Sequence, residues 1–590
     1  MAVGFDFGTT NSLISVILRD RAIDIVGDDG LPFPSVVRYQ GEKVIVGREA
    51  KESLDSAGIG IHGDIVRSPK FLLGDESVHV GGVERSPVDI VHDVVRHVKG
   101  ESLRGRQGRN LDGVRNAVVT IPVTMTGPRR AALRDAFRRA DIGIVQFVHE
   151  PFAALYGYIR GRSDPSAVLR ELNRRNVLVV DWGGGTLDLT LCRIERDRVV
   201  QLRNGGSDEV GGDQFDQAIR DEVIARFASA AGMPTDASIH PDARLRLLQD
   251  AENNKIALSE RSSASFYRPD FFADPTTTLE YRLTRDELDE ITRPLVMSGM
   301  RHVESLLDSV GIGPSQVSTV LVVGGMASMP AVRGRLNEFF GPQRVEIPAS
   351  SATLIAQGAA WIAYDRKRLQ LAKPIELQLA RGSFLPLVKA GTDMPAEGEV
   401  KRQKTHLFCT DPTDGVAKFE LCVPRHLSAS PQIADPRSPL GVVTVDVHPE
   451  AKPFKERLEL DIAIDDDLIL TATAWSAMAK KSDSVAVHDL EFGLPLPRMD
   501  GDLDELAAAP PDDDSDRSAE RGGLAVRSNI AHEPHLELVP GEVLYIHDSS
   551  AFRSGILRRA TQDQVDEHLY YQPCSVCKRA SNDPECRCAS

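Results

Sequence analysis

The chain contains the same uncommon pattern at two distant positions: an apolar strand that ends in an aspartate and is followed at once by a glycine turn. The first copy is "VGFDFGTTNS" with Asp6, and the second is "VLVVDWGGGTLDLTL" with Asp181. The residues of the two turns are Gly8, Thr9, Thr10 and Asn11, and Gly183, Gly184, Gly185 and Thr186. Successive backbone N–H groups in such turns bind phosphate oxygens. Two copies therefore predict a duplicated α/β core whose halves hold a phosphate chain from two sides of a cleft.

The two aspartates predict a metal ion as well. Because Asp6 and Asp181 add negative charge where phosphates already supply it, a cation is expected between them. Mg²⁺ fits best, since it takes oxygen ligands, keeps several waters and accepts carboxylates through them. A Walker-type loop would supply a lysine, and neither turn has one. Taken alone, each hairpin could equally be an ordinary glycine turn beside a solvated aspartate.

A third glycine motif makes the interpretation more specific. The stretch "VLVVGGMASMPAVRGRL" is an apolar strand that ends at Gly324 and Gly325 and leads into a helix. Glycines at this point let a flat base or a ribose approach the backbone. The order D-x-G-T-T, D-x-G-G-G-T and V-G-G along one chain is far more specific than any single glycine turn.

With these motifs the chain resembles the 70-kDa heat-shock protein chaperones of the actin and sugar-kinase superfamily, from residue 1 to about residue 493. "DIVRSPKFLLG" places Lys70 at the position of the family's catalytic lysine, and "HEPFAALYGY" places Glu150 at its catalytic-site glutamate. The resemblance implies an α/β, actin-like ATPase fold, duplicated and two-lobed, followed by an antiparallel β-sandwich. It also implies ATP and Mg²⁺ as cofactors and an unfolded or extended peptide as the client.

Further positions carry over from the family's motifs. Nucleotide contacts are implied for Gly211 and Gly212 in "EVGGDQFD", for Glu252, Lys255 and Ser259 in "AENNKIALS", and for Gly324, Gly325 and Ser328. The set in "AENNKIALS" could also be a solvated helix face. Pro122 and Arg130 fall where the family relays nucleotide state to its peptide-binding domain. Phe408 and Phe419 fall where apolar residues line the peptide pocket, although inward-facing aromatics of a sandwich are as often plain core.

The resemblance also gives the central residues their roles. Lys70 stabilises the charge that develops between the attacking water and the γ-phosphate, and Thr186 helps to orient that water. Asp6, Asp181 and Glu150 hold the hydrated metal ion. Hydrolysis is expected to be slow because no single strong base stands beside the water. The alternatives are that Lys70 is a surface lysine and that Glu150 is simply the first residue of a helix.

Changes of pattern along the chain predict four segments. Residues 1–370, where β-branched strands alternate with helical stretches, form the ATPase domain. Residues 371–495 show strands around turns such as Asp414-Gly415 and form the β-domain. Residues 496–523 are acidic and rich in proline and glycine, which predicts a disordered linker. Residues 524–590 form a small Cys-rich tail.

The chain differs from the family's pattern at several points. Ser328 stands where an arginine commonly stacks on the base, which predicts weaker adenine binding. The segment between the domains, "DRKRLQLAKP", is basic and offers only Leu369 and Leu371 for docking. Coupling of the domains, and recognition by J-domain cochaperones and nucleotide-exchange factors, are therefore open questions. After residue 495 the sequence predicts no long amphipathic helices, so the family's helical lid is expected to be missing.

Four cysteines crowd the C-terminal segment with the spacing C-x₂-C-x₈-C-x-C. They are Cys574, Cys577, Cys586 and Cys588. Four thiolates can bind Zn²⁺ tetrahedrally, and Asn582-Asp583-Pro584 provides a turn between the two pairs. Free thiols and a redox disulfide are the alternatives. A zinc module on an extended acidic tether is expected to recruit a dedicated partner rather than to act as a lid.

Composition argues against some classes of function. Asp and Glu outnumber Lys and Arg by 86 to 70, the formal charge is -16, and no basic stripe with interleaved aromatics occurs. Nucleic acid is therefore not an expected partner. The sequence shows neither a leader peptide nor an apolar run of about 20 residues, which predicts a cytoplasmic protein without membrane contact.

Three functions remain. The first and preferred one is an ATP-gated chaperone whose β-domain binds an extended peptide. The second is a nucleotide-binding scaffold with weak ATPase activity, whose β-domain and tail recruit a dedicated partner. The third is a small-molecule kinase on the same core, which fits less well because Lys70 with Glu150 suits attack by water.

Overall fold

The chain forms two compact units. Unit 1 is Met1–Leu369 with Glu491–Pro497, and unit 2 is Gln370–Leu490 with Arg498–Ser590. The computed structural model describes residues 2–52, 60–104, 113–195, 198–233, 237–274, 276–378, 384–409, 415–427, 435–448, 450–452 and 455–496, and the strands at 545–547 and 557–559. The predicted acidic linker, apart from residue 496, and the four cysteines of the tail lie outside the described residues.

The secondary structure of residues 2–369 alternates strands and helices. The strands are β1 (Ala2–Phe7), β2 (Asn11–Leu18), β3 (Arg21–Ile25), β4 (Phe33–Pro34), β5 (Val36–Gln40), β6 (Lys43–Val46), β7 (Gly60–His62), β8 (Ile65–Arg67), β9 (Val78–Val80), β10 (Val83–Arg85), β11 (Asn116–Ile121), β12 (Gly143–His149), β13 (Asn176–Trp182), β14 (Leu187–Glu195), β15 (Arg198–Ser207), β16 (Ser238–Ile239), β17 (Ser263–Asp274), β18 (Thr276–Thr284), β19 (Val317–Val323) and β20 (Val345–Glu346). The helices are α1 (Arg48–Glu52), α2 (Pro87–Arg104), α3 (Gly127–Arg139), α4 (Glu150–Arg160), α5 (Pro165–Leu172), α6 (Gly212–Ala230), α7 (Pro241–Leu258), α8 (Arg285–Ser309), α9 (Pro330–Phe340) and α10 (Leu354–Tyr364). Short 3₁₀ helices lie at Pro69–Leu72, Pro314–Gln316 and Gly325–Ser328.

The remaining strands follow residue 369. They are β21 (Gln370–Leu371), β22 (Ile375–Gln378), β23 (Phe384–Val388), β24 (Val400–Cys409), β25 (Val416–Pro424), β26 (Arg437–Asp446), β27 (Arg457–Asp465), β28 (Leu470–Ser476), β29 (Lys481–Val487), β30 (Phe492–Pro495), β31 (Tyr545–His547) and β32 (Leu557–Arg559).

Unit 1 contains two sheets with the same connectivity. The first has the order β12-β11-β1-β2-β3, and the second contains the order β20-β19-β13-β14-β15. In each sheet a meander of three antiparallel strands is extended by two later strands that run parallel to the first strand of the meander. This repeated order is the structural form of the duplication that the two Asp-Gly patterns predict.

The first strands of both meanders are buried because helices cover the sheets. On β1 the side chains of Val3, Phe5 and Phe7 are at most 1% exposed, and β13 is buried from Val177 to Trp182. Strands covered on both faces are apolar throughout rather than alternating, which is what "NVLVVDW" shows. Each aspartate is therefore carried to the end of a rigid, buried strand.

Unit 2 consists mainly of antiparallel strands. One sheet has the order β23-β22-β25-β26, and another contains β29-β28-β27-β24, continued by β31 and β32. The predicted hairpin in "RLELDIAIDDDLILTATAW" is present, because β27 pairs with β28 antiparallel. Its turn is held by Asp465, whose carboxylate accepts hydrogen bonds from the backbone N–H groups of Asp467 and Ile469 at 3.0 and 2.9 Å.

The end of the predicted β-domain belongs to unit 1. The sequence assigns residues up to 495 to the β-domain, whereas Glu491–Pro497 is part of unit 1. Strand β30 pairs antiparallel with β15 and extends the second sheet at that edge. The physical reason is the apolar run "FGLPL", whose residues Phe492, Leu494 and Leu496 are at most 4% exposed. The chain thus leaves unit 1 after Leu369 and returns to it at Glu491.

No helix in the described part of the chain combines the length and apolar character that crossing a membrane requires.

Candidate active site

The centre of the candidate site is a buried ion pair between Lys70 and Glu150. Lys70 lies on the 3₁₀ helix Pro69–Leu72, and its Nζ donates to Glu150 Oε1 at 2.7 Å. Their side chains are only 5% and 9% exposed. Glu150 is the first residue of α4, directly after His149 at the end of β12. The surface-lysine alternative is therefore wrong for Lys70, whereas Glu150 is both the first residue of α4 and the buried partner of Lys70.

Asp6 and Asp181 lie close to this pair. Asp6 at the end of β1 accepts a hydrogen bond from Thr120 Oγ1 at 2.7 Å. Burial raises the pKa of Asp6 to about 6, and the charge of Glu150 adds to this, while Lys70 and Thr120 act in the opposite direction. The pKa of Asp181 is raised well above its usual range by burial first and then by Glu150. The two Asp-Gly patterns thus converge on one group of charges.

Asp188 joins the same group, and the sequence analysis does not identify it. It lies on β14, is fully buried, and accepts a hydrogen bond from the backbone N–H of Val123 at 2.8 Å. Burial, followed by Glu150, raises its pKa to about 7. The only signal in the sequence is its place two residues after Thr186. An alternating strand residue of this kind looks like a solvated aspartate until the fold is known.

The arrangement is suited to a hydrated cation. Four carboxylates stand around one lysine, so the group carries excess negative charge that a cation would neutralise. Asp188 Oδ2 is buried and has no hydrogen-bond partner among the described residues. Within the same residues, no three His, Cys, Asp or Glu side chains converge tightly enough to hold a metal ion directly. An oxygen-rich site that binds through water is what Mg²⁺ prefers.

The glycine turns of the two hairpins face each other beside the charges. A Cβ on Gly184 would lie 2.6 Å from Thr10 Oγ1, and one on Gly185 would lie 2.9 Å from Thr9 Cγ2. Gly211 packs on the same turn, since its Cβ would lie 2.3 Å from the carbonyl carbon of Gly185. A side chain at Gly211 would clash with backbone, and one at Gly184 or Gly185 would displace the side chain of Thr10 or Thr9, so the close approach of the two turns favours glycine.

Other predicted nucleotide residues lie around the second turn. Gly212 donates from its N–H to Gly183 O at 3.1 Å, and a Cβ on Gly324, whose φ is 84°, would lie 2.5 Å from Asp181 Oδ1. Gly8, Thr186 and Gly183 are half-buried and Asn11 is exposed. Gly325 and Ser328 at the following 3₁₀ helix are exposed.

Helix α7 contributes the predicted adenosine-side residues, and its contacts differ along the helix. Lys255 Nζ pairs with Asp216 at 2.8 Å and donates to Gly212 O at 3.0 Å. Glu252 pairs with Arg67 at 3.1 Å. Ser259 is half-buried, and its Oγ lies 3.5 Å from Lys255 O in its own helix. The solvated-face alternative is therefore wrong for Lys255 and Glu252.

Arg67 is a second residue that the sequence analysis misses. It ends β8 in the first half of unit 1, is 6% exposed, and pairs with Glu252 on α7 and, at 3.5 Å, with Asp213 at the start of α6. Burial raises the pKa of Asp213 to about 6 although Arg67 and Lys255 act against this. An ion pair across 185 residues has no local signal in the sequence.

The two predicted relay residues are buried next to the charged group. Pro122 precedes Val123, the residue whose N–H binds Asp188. Arg130 is 1% exposed and donates from Nε to Met125 O at 2.9 Å. Its charge also lowers the pKa of His149, the residue before Glu150.

The two aromatic residues predicted to bind peptide occupy different sheets of unit 2. Phe408 on β24 is half-buried. Phe419 on β25 is fully buried, so it offers no surface to a peptide in this conformation. The pocket-lining role of Phe419 is therefore corrected to that of a core residue, because its ring is enclosed within the unit.

Comparison with known proteins identifies the family of this chain. The family model described as "Hsp70 protein" matches residues 74–491. The curated chaperone protein DnaK of Deinococcus proteolyticus is 27% identical over 524 residues, which cover 83% of this chain and 79% of that protein. DnaK of Thermosipho melanesiensis is 27% identical over 503 residues (82% and 80%), and DnaK of Deinococcus radiodurans is 28% identical over 524 residues (83% and 79%). The chain therefore belongs to the Hsp70 family, the 70-kDa heat-shock proteins, whose members are ATPases.

Proposed function

We propose that this protein is an ATP-dependent chaperone of the Hsp70 type, in which unit 1 binds and slowly hydrolyses Mg-ATP and unit 2 binds an extended peptide. The observation that carries the proposal is the Lys70–Glu150 pair at 2.7 Å, set beside the half-buried Asp6, the buried Asp181 and Asp188, and two facing glycine turns. Buried charges of this density are expensive to maintain, and such groups concentrate at sites of chemistry.

The glycine turns bind the phosphates in this proposal. Backbone N–H groups of the Gly8–Asn11 and Gly183–Thr186 turns donate to phosphate oxygens from opposite sides. Asp6, Asp181 and Asp188 would hold a hydrated Mg²⁺. Asp188 takes the place that the sequence assigned to Glu150, because Glu150 is paired with Lys70. When bound, Mg²⁺ neutralises charge on the β- and γ-phosphates. Glu252, Lys255 and Ser328 line the adenosine side.

Hydrolysis depends on positioning and electrostatics. Lys70 stabilises charge that develops at the γ-phosphate, and Glu150 holds the lysine ammonium in place. Thr186, two residues before Asp188, orients the attacking water in this proposal. In this proposal no single strong base stands beside the attacking water and positioning and electrostatics carry the rate, so turnover is expected to be slow.

Unit 2 is the peptide-binding part in this proposal. Its two sheets would form a sandwich, and an extended peptide would bind by strand addition against an apolar surface that includes Phe408. The segment before it is held by unit 1: Gln146 donates to Lys367 O at 2.7 Å and accepts from the N–H of Leu369 at 3.2 Å. Leu369 is fully buried, which supports coupling through this segment. J-domain and nucleotide-exchange partners would act on such a coupled pair.

Ser328 favours the scaffold as a second candidate. Its side chain is short and exposed at the end of the 3₁₀ helix Gly325–Ser328, so it cannot cover a face of the base as a planar cation would. A scaffold of this kind would bind ATP weakly and turn it over at a rate that no peptide changes. Zinc binding by the four cysteines from Cys574 to Cys588 is compatible with both candidate functions. Elemental analysis of the purified chain measures the zinc content directly.

The test of the catalytic assignment is Lys70→Ala. We expect Mg-ATP binding to be retained, because backbone groups hold the phosphates, and hydrolysis to fall about 100-fold, a loss of about 3 kcal/mol of transition-state stabilisation. Single-turnover hydrolysis at saturating Mg-ATP measures the rate, and calorimetry measures the affinity.

The matched control is Lys43→Ala. Lys43 also pairs with a glutamate, Glu49, but its side chain is 65% exposed. Exposed pairs contribute little, so this variant should hydrolyse ATP as the wild type does. Wild-type hydrolysis by a folded Lys70→Ala protein would show that the catalytic assignment is wrong.

A further inference from the structure

The return strand β30 contacts a residue next to the catalytic pair. Gln201 on β15 is fully buried, and its Oε1 accepts a hydrogen bond from the backbone N–H of Phe492 at 2.9 Å. Its Nε2 lies 3.3 Å from Nδ1 of His149. The rings of His149 and Phe492 are also in contact, with centroids 5.5 Å apart. The side chain of Gln201 and the ring of Phe492 therefore connect β30 to His149 at the end of β12.

The hydrogen bonds fix the state of His149. Because the N–H of Phe492 can only donate, Gln201 must present its oxygen there and its NH₂ to His149. His149 Nδ1 is then the acceptor, and the ring proton of the neutral imidazole is on Nε2. His149 Nε2 has no hydrogen-bond partner among the described residues. The hydrogen bond from Gln201 to Nδ1 therefore orients the ring.

The orientation of His149 matters because it precedes Glu150. His149 is 3% exposed and is the N-cap residue of α4, with φ −65° and ψ 135°. Its backbone sets the direction in which Glu150 leaves β12 toward Lys70. A displacement of about 1 Å at a catalytic group is enough to lower a rate by as much as 100-fold.

We propose that Gln201 is a positioning residue for ATP hydrolysis, and that β30 keeps the Lys70–Glu150 pair in its productive geometry through Gln201 and His149. The inference rests on the proposed function, because it assumes that Glu150 acts in hydrolysis. A second contact anchors the strand: Glu491, 5% exposed, pairs with Arg203 on β15 at 3.3 Å. The strand continues directly from Leu490, the last residue of that stretch of unit 2. The β-domain is thus followed by a segment that belongs to the catalytic machinery of unit 1.

The test uses the full chain with Gln201→Met, which keeps the side-chain volume and removes both hydrogen bonds. We expect single-turnover hydrolysis to fall about tenfold while the dissociation constant for Mg-ATP changes less than about twofold, because the phosphates are held by other groups. Phe492→Ala should lower the rate similarly. In the double variant the two losses should not multiply, because both changes act through the same contact.

Phe340→Ala is the matched control for loss of buried volume. Phe340 is 3% exposed at the end of α9, and its ring packs against Phe339. Its removal should lower the melting temperature as Phe492→Ala does, without the tenfold loss of hydrolysis. All rates are measured where circular dichroism shows each variant folded.

Two results would overturn the inference: wild-type hydrolysis by Gln201→Met, or equal rates for Phe492→Ala and Phe340→Ala. Lys70→Ala is assayed in parallel to separate this inference from the proposed function. If Lys70→Ala also hydrolyses ATP normally, the proposed function fails. If Lys70→Ala is slow and Gln201→Met is normal, only the positioning role fails.

Discussion

The protonation of the three aspartates of the candidate site depends on their surroundings. Burial first and the charge of Glu150 second raise the pKa of Asp6 to about 6 and that of Asp188 to about 7. An aspartate in the unfolded chain has a pKa of about 3.9. Without metal, the folded protein therefore binds protons more tightly than the unfolded chain does. The stabilisation that these protons supply is present at low pH and is lost as pH rises through about 6 to 7.

The raised pKa values of these aspartates lead to a prediction about Mg²⁺. The cation binds the ionised carboxylates, so Mg²⁺ should raise the melting temperature more at pH 7.5 than at pH 5.5, where Asp6 and Asp188 are largely protonated. The measurement is thermal unfolding with ADP, in Mg²⁺ and in EDTA, at both pH values. Asp188→Asn is the control variant and should lose most of the difference. An equal Mg²⁺ shift at the two pH values would refute the assignment of these carboxylates.

Single residues differ in how far the sequence reveals them. Lys70 and Glu150 could be predicted because each stands in a short motif. Arg67 could not, because its partners Glu252 and Asp213 lie far along the chain and only folding brings them together. Asp188 lies within a recognised motif, but the hydrogen bond that it accepts comes from Val123, in the turn after β11, and this contact has no signal in the sequence.

At the level of elements, helix α10 packs against both β1, which carries Asp6, and α4, which begins with Glu150. A Cβ on Gly358 would lie 1.8 Å from Ala153 O of α4, and one on Gly4 of β1 would lie 2.2 Å from Ala360 N of α10. The helix therefore contacts both the strand that carries Asp6 and the helix that begins with Glu150. Only glycine permits these distances, because no side-chain atom can occupy them.

Gly358→Ala should accordingly destabilise unit 1 by about 3 kcal/mol through forced separation of α10 from α4. Gly334→Ala is the control, because Gly334 lies inside α9 with open space around its Cβ position. That change should stabilise the helix by about 0.5–1 kcal/mol. Thermal unfolding of the two variants measures opposite shifts, and a wild-type melting temperature for Gly358→Ala would contradict the packing argument.

The elements themselves are predicted unevenly by the sequence. The meanders that start at β1 and β13 follow from apolar strands with glycine turns, and the hairpin of β27 and β28 follows from strict alternation. The place of β30 does not follow, because four residues of apolar character indicate a strand without indicating which sheet it joins. The edge of β15 and the side chain of Gln201 decide that, and both are defined only in the folded unit.

For the whole molecule, the order of units along the chain has a functional consequence. The described chain leaves unit 1 after Leu369 and returns at Glu491, so residues 370–490 are tied to unit 1 at both ends. At the first tie, the segment around Leu369, the backbone is hydrogen-bonded by Gln146. At the second tie, strand β30, the backbone of Phe492 is hydrogen-bonded by Gln201. Gln146 and His149 both belong to β12, the strand that leads into Glu150. A conformational change in unit 2 that alters either of these contacts can therefore affect β12.

The last prediction tests this route. If unit 2 is a peptide-binding domain coupled to hydrolysis, a reduced and alkylated unfolded protein should accelerate ATP turnover by the wild type. Gln146→Leu removes both hydrogen bonds to the segment around Leu369, so it should reduce this acceleration severalfold while basal turnover stays within about twofold, because Gln146 does not touch the charged group. Gln343→Leu, at an exposed position of the same unit, is the control and should respond to peptide as the wild type does. Turnover that is indifferent to every unfolded substrate in the wild type would instead support the scaffold. Full acceleration in Gln146→Leu would show that the first tie is not needed, and would leave the return strand as the route by which unit 2 reaches Glu150.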